Sequence, residues 1–290
     1  MKFLFPIVSG CIAFVPWVSA QVSVDLTLDQ DQFLPGESLV VGVRITNFSG
    51  QTLHLGKDSD WLHITLEGRD NYVVPTTADL PVQGEFDVES SKIVTRRVDV
   101  APCFALTKPG RYMVSATVKL KDWDKELVSK PKAFDIFAGT TLWEQDVGVS
   151  VVPVASHRPP EVRKYALQQA IHLKRMKLYV RVTDQAGSRV FRVFPIGPLI
   201  SFSSPEHQID KSSNLHVLYQ TGAKSFNYSV INPDGKLLIR QTHEYSDTRP
   251  ILRIDKEGRI YVGGGNRRIS SDDIPLPLDA SNNDASSPKP

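Results

Sequence analysis

Apolar and polar residues alternate with a period of two through most of the chain. Val22, Val24, Leu26 and Leu28 alternate with Ser23, Asp25, Thr27 and Asp29, the pattern of a strand with one face buried and the other in water. Leu39, Val41, Val43 and Ile45 repeat it after a Pro35-Gly36 turn, and Asn47–Gly50 turns the chain again. TLHLG, WLHITLE, YVVPTT, VTRRVDVAP, the stretch Arg111–Leu120 and KAFDIFAG continue at short spacing, with Pro109-Gly110 as a further turn. About seven strands separated by turn signals predict an antiparallel sandwich over residues 21–150. The order PGE, alternating strand, N-x-S-G resembles the Ig-like modules of exported bacterial proteins. That resemblance implies an Ig-like β-sandwich, here without an internal disulfide.

SHRPP, closing at Pro159-Pro160, marks a linker over 151–161. The following EVRKYALQQAIHLKRMK fits two patterns: a helical face of Val162, Ala166, Ala170 and Leu173, or an alternating strand through Tyr165, Leu167 and Ile171. Three lines then align: MKLYVRVTD from Met176, SNLHVLYQT from Ser213 and GRIYVGGGN from Gly258. Their spacing suits β-propeller blades, and about two units fit residues 162–268. Asp234-Gly235 and Lys256–Gly258 suit tight hairpin turns. The units would form an open sheet over one end of the sandwich, a separate sandwich or barrel, or part of a ring shared between subunits. The predicted fold class is therefore all-β, an N-terminal Ig-like sandwich followed by a second region with two propeller-blade-like units. Residues 269–290, rich in Ser, Asp, Asn and Pro, read as a disordered tail.

Composition changes this picture little. Hydrophobic residues make up 41% and charged residues 23%, and the formal charge is +2. Such a balance gives no drive toward nucleic acid or an anionic membrane. The opening MKF, the apolar LFPIV and IAFV, and the VSA ending at Ala20 read as a secretory leader over 1–20. The expectation is export to a bacterial periplasm or cell surface, with no transmembrane segment after its removal. A lipid anchor on Cys11, in VSGC, is the minor alternative. Cys103 is then the one remaining thiol, reading as a small buried hydrophobe.

Catalytic chemistry has weak support. The seven histidines lack the spacing of a zinc site, although His207, His216 and His243 fall in the same region. No nucleophile elbow or phosphate loop is present, so no catalytic residue, metal or cofactor is assigned. Asp58, Asp60, Asp122, Asp124, Glu206 and Asp210 are loop carboxylates that a glycosidase would need in pairs. The candidate contact residues are Trp123 in a polar loop, Asn232, Asp234 and Gly235 in one turn, and Gly263, Gly264 and Asn266 in another. The expected role is a noncatalytic binding or structural module of the cell envelope. It would contact an envelope protein, or its own copies, through a sheet edge. Polysaccharide binding is the alternative, and a glycoside or peptide hydrolase the lesser one.

Overall fold

The computed structural model describes residues 22–149, 161–200 and 202–275; the expected leader, Cys11 and nearly all of the expected linker lie outside them. The described chain is all-β, built of several antiparallel sheets with short 3-10 turns between strands.

The N-terminal unit carries β1 (Val22–Leu28), β2 (Gln32–Phe33), β3 (Val40–Asn47), β4 (Leu53–Leu55), β5 (Leu62–Glu67), β6 (Phe86–Val88), β7 (Lys92–Asp99), β8 (Gly110–Leu120), β9 (Lys125–Val128) and β10 (Lys132–Ile136). One sheet has the order β1-β3-β7, the other β2-β10-β8-β5 with β9 added along β8. Their apolar faces share one core, where Val24, Val43 and Ile45 meet Ile64, Leu66, Val114, Ala116 and Val118, so the unit is sandwich-like. Trp61 is in this core, its indole N–H donating to the Val82 carbonyl at 2.8 Å. YVVPTT forms no strand. It makes single bridges from Val73 to Glu67 and from Thr76 to Phe104, and Pro75 has no N–H to extend a ladder. Asn47, in a glycosylation-type N-F-S, is fully buried and donates to the Gln51 and Val88 carbonyls.

The second unit carries β11 (Thr140–Val149), β12 (Glu161–His172), β13 (Arg175–Asp184), β14 (Val190–Pro198), β15 (Glu206–Ile209), β16 (Leu215–Gln220), β17 (Ser225–Ile231), β18 (Leu237–Glu244), β19 (Ile251–Ile254), β20 (Ile260–Gly263) and β21 (Asn266–Arg268). β11-β12-β13-β14 form one meander, β15-β16-β17-β18-β21 a second sheet, and β19-β20 a hairpin. The ambiguous segment is thus strand. β12 has a partner on each side and packs side chains from both faces, so its apolar residues do not alternate cleanly. The expected boundary at residue 150 is corrected: Thr140–Val149 pairs along its length with β12, so the second unit begins just after Phe137. Of the expected tail, residues 269–275 are described and the rest lie outside the described residues. Ile274 exchanges backbone hydrogen bonds with Arg240, both at 3.0 Å, and Asp273 is buried.

The three layers of the second unit stack face to face. Tyr165, Leu178, Val180 and Val182 of the first sheet share a core with Leu215, Val217, Tyr219 and Ile231 of the second. The far face of the second sheet packs Leu218, Phe226, Tyr228 and Val230 against Leu252 of the hairpin. One turn design closes four of the hairpins, beginning at Asp184, Asp210, Asn232 and Asp255. In each, this Asp or Asn donates its backbone N–H, at 3.0 Å, to the carbonyl of the residue that closes the turn: Arg189, Asn214, Lys236 or Arg259. Its side-chain oxygen accepts that residue's N–H at 2.7–2.9 Å. The fourth residue, Gly187, Ser213, Gly235 or Gly258, has positive φ, where glycine is least strained.

Candidate functional site

The residues singled out in the sequence lie in three separate places. Trp123 ends a 3-10 turn between β8 and β9, half-buried against the N-terminal core. Asn232, Asp234 and Gly235 form the β17–β18 turn, which is seated on the first sheet of its own unit. Arg163 Nε donates to the Pro233 carbonyl at 3.2 Å, and a Cβ on Gly235 would come 2.5 Å from Arg192 Cβ. Gly263 and Gly264 lead out of β20 and Asn266 opens β21. A Cβ on Gly264 would lie 2.6 Å from the Arg249 carbonyl, so this turn too is shaped by its own packing. No hydrogen bond or ion pair among the described residues joins these three segments.

Four of the six loop carboxylates, Asp58, Asp60, Glu206 and Asp210, hold local structure. Asp58 and Asp60 pair with Lys121 at 2.7 and 3.1 Å. Glu206 accepts the Leu252 N–H at 2.8 Å, tying the hairpin to β15. Two of the three regional histidines converge. His216 Nε2 lies 3.1 Å from Asp210 Oδ2 and its Nδ1 2.6 Å from the Tyr228 hydroxyl, while His243 meets the Tyr228 ring edge-on. Burial pushes the Tyr228 hydroxyl up to about 12 and holds His243 below the usual imidazole range, with Arg267 adding to the latter shift. His207 stacks instead on Trp143, at 4.2 Å between ring centres. Among the described residues no group of three or more His, Cys, Asp or Glu is placed to hold a metal ion. Cys103 is buried with a raised thiol pKa, through desolvation first and Asp99 and Asp79 second.

The most prominent concavity, a groove of about 860 Å³, lies between the two units. It is built from a turn. Pro35 and Gly36, with Gly36 at φ +82°, fold Leu34–Glu37 so that the Glu37 N–H donates to the Leu34 carbonyl at 3.0 Å. The Glu37 carboxylate closes back on the Leu34 N–H at 2.9 Å and accepts from Gln30 Nε2 at 3.0 Å. This turn docks on the outer face of the first sheet of the second unit. Leu34 packs with Ala170, Tyr179 and Val193. A Cβ on Gly36 would lie 3.1 Å from Val190 Cγ1, and Arg181 Nη1 donates to the Pro35 carbonyl at 2.8 Å. Desolvation raises the Glu37 pKa and lowers that of Arg181.

β14 forms the opposite wall of the groove. Among the described residues it is the end strand of its sheet and pairs only with β13, so alternate backbone groups from Val190 to Phe194 have no ladder partner there on their outer side. Pro195 and Pro198 limit pairing beyond that point. Arg189 stacks over Phe191 and Arg192 over Phe194, with 4.6 and 5.5 Å to the ring centres. Sequence reasoning missed this site, since FLPGE announces a turn but not the surface it meets.

No protein-family model matches the chain, and no curated protein matches it. Among solved structures, the sporulation control protein Spo0M from Bacillus subtilis is similar at 11% identity and a TM-score of 0.31, over 59% of this chain and 83% of that one. A likeness at that level carries no argument about this chain.

Proposed function

We propose that the protein is a noncatalytic, exported envelope module that works by protein contact, holding a segment of another protein in the groove between its two units. The observation supporting this most directly is a strand edge open among the described residues, Val190–Phe194, along the wall of the groove of about 860 Å³. Grooves between domains are common binding places, and a free edge offers a row of backbone donors and acceptors to an extended chain. The groove's carboxylates favour a binding over a hydrolytic reading, because Glu37 and Asp99 already accept internal hydrogen bonds. Asp99 accepts from Ser38 Oγ and from the backbone N–H groups of Leu39 and Ala101.

The test is photo-crosslinking in the native cell envelope from Thr107 and Ser188, exposed residues on opposite walls of the groove, with the exposed Tyr261 of the distant hairpin as control. One protein captured from both groove positions and not from Tyr261 is the expected result. Capture of polysaccharide alone would favour the carbohydrate reading, and capture from Tyr261 alone would move the contact face to the hairpin.

A further inference from the structure

Resting on that reading of the groove, we infer that its occupant is an acidic extended peptide segment, added to β14 as a further strand and selected by Arg189 and Arg192. Charge in the groove is unevenly committed. Both carboxylates there are engaged by internal donors: Glu37 by Leu34 and Gln30, Asp99 by Ser38, Leu39 and Ala101. The guanidinium groups are not. Arg189 and Arg192 form no ion pair among the described residues, and Glu161 senses Arg189 only at longer range, being paired directly to Arg163.

Stacking fixes both arginines without using their donors. Each lies over a phenylalanine of β14, an arrangement that restrains the planar fork while leaving its N–H groups free for a carboxylate. Arg163, itself buried, also lies over Phe191, at 3.9 Å to its centre, so this ring contacts two guanidinium groups. Of the two exposed arginines, Arg189 immediately precedes the open backbone of Val190–Phe194 and Arg192 lies within it. A strand laid against that edge places alternate side chains on one face, and acidic side chains on that face meet the guanidinium groups. Backbone pairing supplies attraction independent of sequence, and the arginines supply the preference for acid.

Fluorescence anisotropy with the mature chain tests this using three labelled eight-residue peptides: alternating Val and Glu, alternating Val and Lys, and the Val/Glu peptide N-methylated at alternate residues. The Val/Glu peptide should bind at least about tenfold tighter than the Val/Lys peptide, weaken with added salt, and lose at least about tenfold in affinity on R189A/R192A. R189E/R192E should reverse the order of the two peptides. N-methylation should weaken binding similarly, since it removes ladder donors. Equal binding of Glu and Lys peptides, or indifference to R189E/R192E, overturns the acidic selection. Indifference to N-methylation overturns strand addition. If crosslinking finds a protein in the groove while the peptides show no acidic preference, the groove reading stands and this inference falls. If neither crosslinking nor any peptide engages the groove, both fall. Circular dichroism of each variant confirms that the fold is retained.

Discussion

Glu37 is the residue through which the docking of the two units can be tested. It is 6% exposed, and its carboxylate accepts the N–H of Leu34, a fully buried residue. Glu37→Ala leaves that N–H without a partner, which costs about 1–3 kcal/mol, and frees the turn that seats on Val190 and Arg181. Glu37→Gln keeps an amide oxygen for the Leu34 N–H, and Gln30 can rotate its amide to suit, so the cost at neutral pH is below about 1 kcal/mol. The pH dependence has a definite sign. Desolvation raises the folded pKa above its ordinary value of 4.5, so the folded state holds this proton more tightly than the unfolded one. The resulting stabilisation is complete below the unfolded pKa and is lost as pH rises through the folded pKa, by at most about 1.4 kcal/mol per pH unit. Urea unfolding of wild type and Glu37→Gln at half-unit steps from pH 4 to 8 isolates this residue, because the other titrations cancel in the difference. The wild type should lose ground to Glu37→Gln as pH rises above about 4.5 and then run parallel to it. A flat difference, or one of opposite sign, would refute the reasoning. It would mean that the two hydrogen bonds outweigh burial and that the carboxylate is the favoured form in the joint.

Gly187→Ala and Gly235→Ala form a matched pair, since both glycines hold the same place in the same turn at φ +73° and +76°. Gly187→Ala meets open space and should cost about 1–2 kcal/mol from backbone strain. Gly235→Ala adds the clash with Arg192, for about 1–3 kcal/mol more in chemical denaturation; equal costs would show that the turn does not press on β14. Trp61→Ala should lower stability by about 3–5 kcal/mol, and Trp61→Phe by less, losing mainly the bond to Val82. His243 is held neutral by burial, so the stability it supports is present above about 6.5 and is lost as pH falls through its lower folded value. His243→Phe should flatten the thermal-stability profile between pH 7 and 5, and an unchanged profile would assign that acid sensitivity elsewhere.

Much of the strand content was legible because one-sided burial imprints period two on the sequence, as in β1, β3 and β8. β12 was not, since packing on both faces makes its apolar residues contiguous. β11 was assigned to the wrong unit for a related reason: TTLWEQDVGV reads as a strand, but alternation does not name the neighbour. Two of the four Asx-type hairpin turns were visible through Asp234-Gly235 and Glu257-Gly258. DKSSN was hidden because Ser213 takes the positive-φ place that glycine usually fills. The groove was illegible because its walls come from segments some 150 residues apart, and its charge imbalance depends on which carboxylates are already bonded.

The stacking of the second unit explains both why its strand–turn–strand unit repeats and why it stops. Each meander exposes two apolar faces, so one sheet alone leaves one face uncovered, and adding another only moves the problem outward. The stack ends where a layer presents a polar outer face. On one side the β19-β20 hairpin does this, with Leu252 turned inward and exposed Arg253 and Tyr261 on its outside. On the other side the first sheet has no such layer, and Leu34, Phe137 and the Pro35-Gly36 turn of the neighbouring unit cover it instead. The N-terminal unit therefore serves as the second cap, and the joint between the units is part of the fold's stability rather than a loose tether. That cap is narrower than the sheet. Among the described residues it covers β12 and β13 and reaches β14 at Val190 and Val193, with the outer edge of β14 unpaired beside it. A groove made in this way is preorganised, so the proposed strand would meet a site whose ordering cost was met on folding.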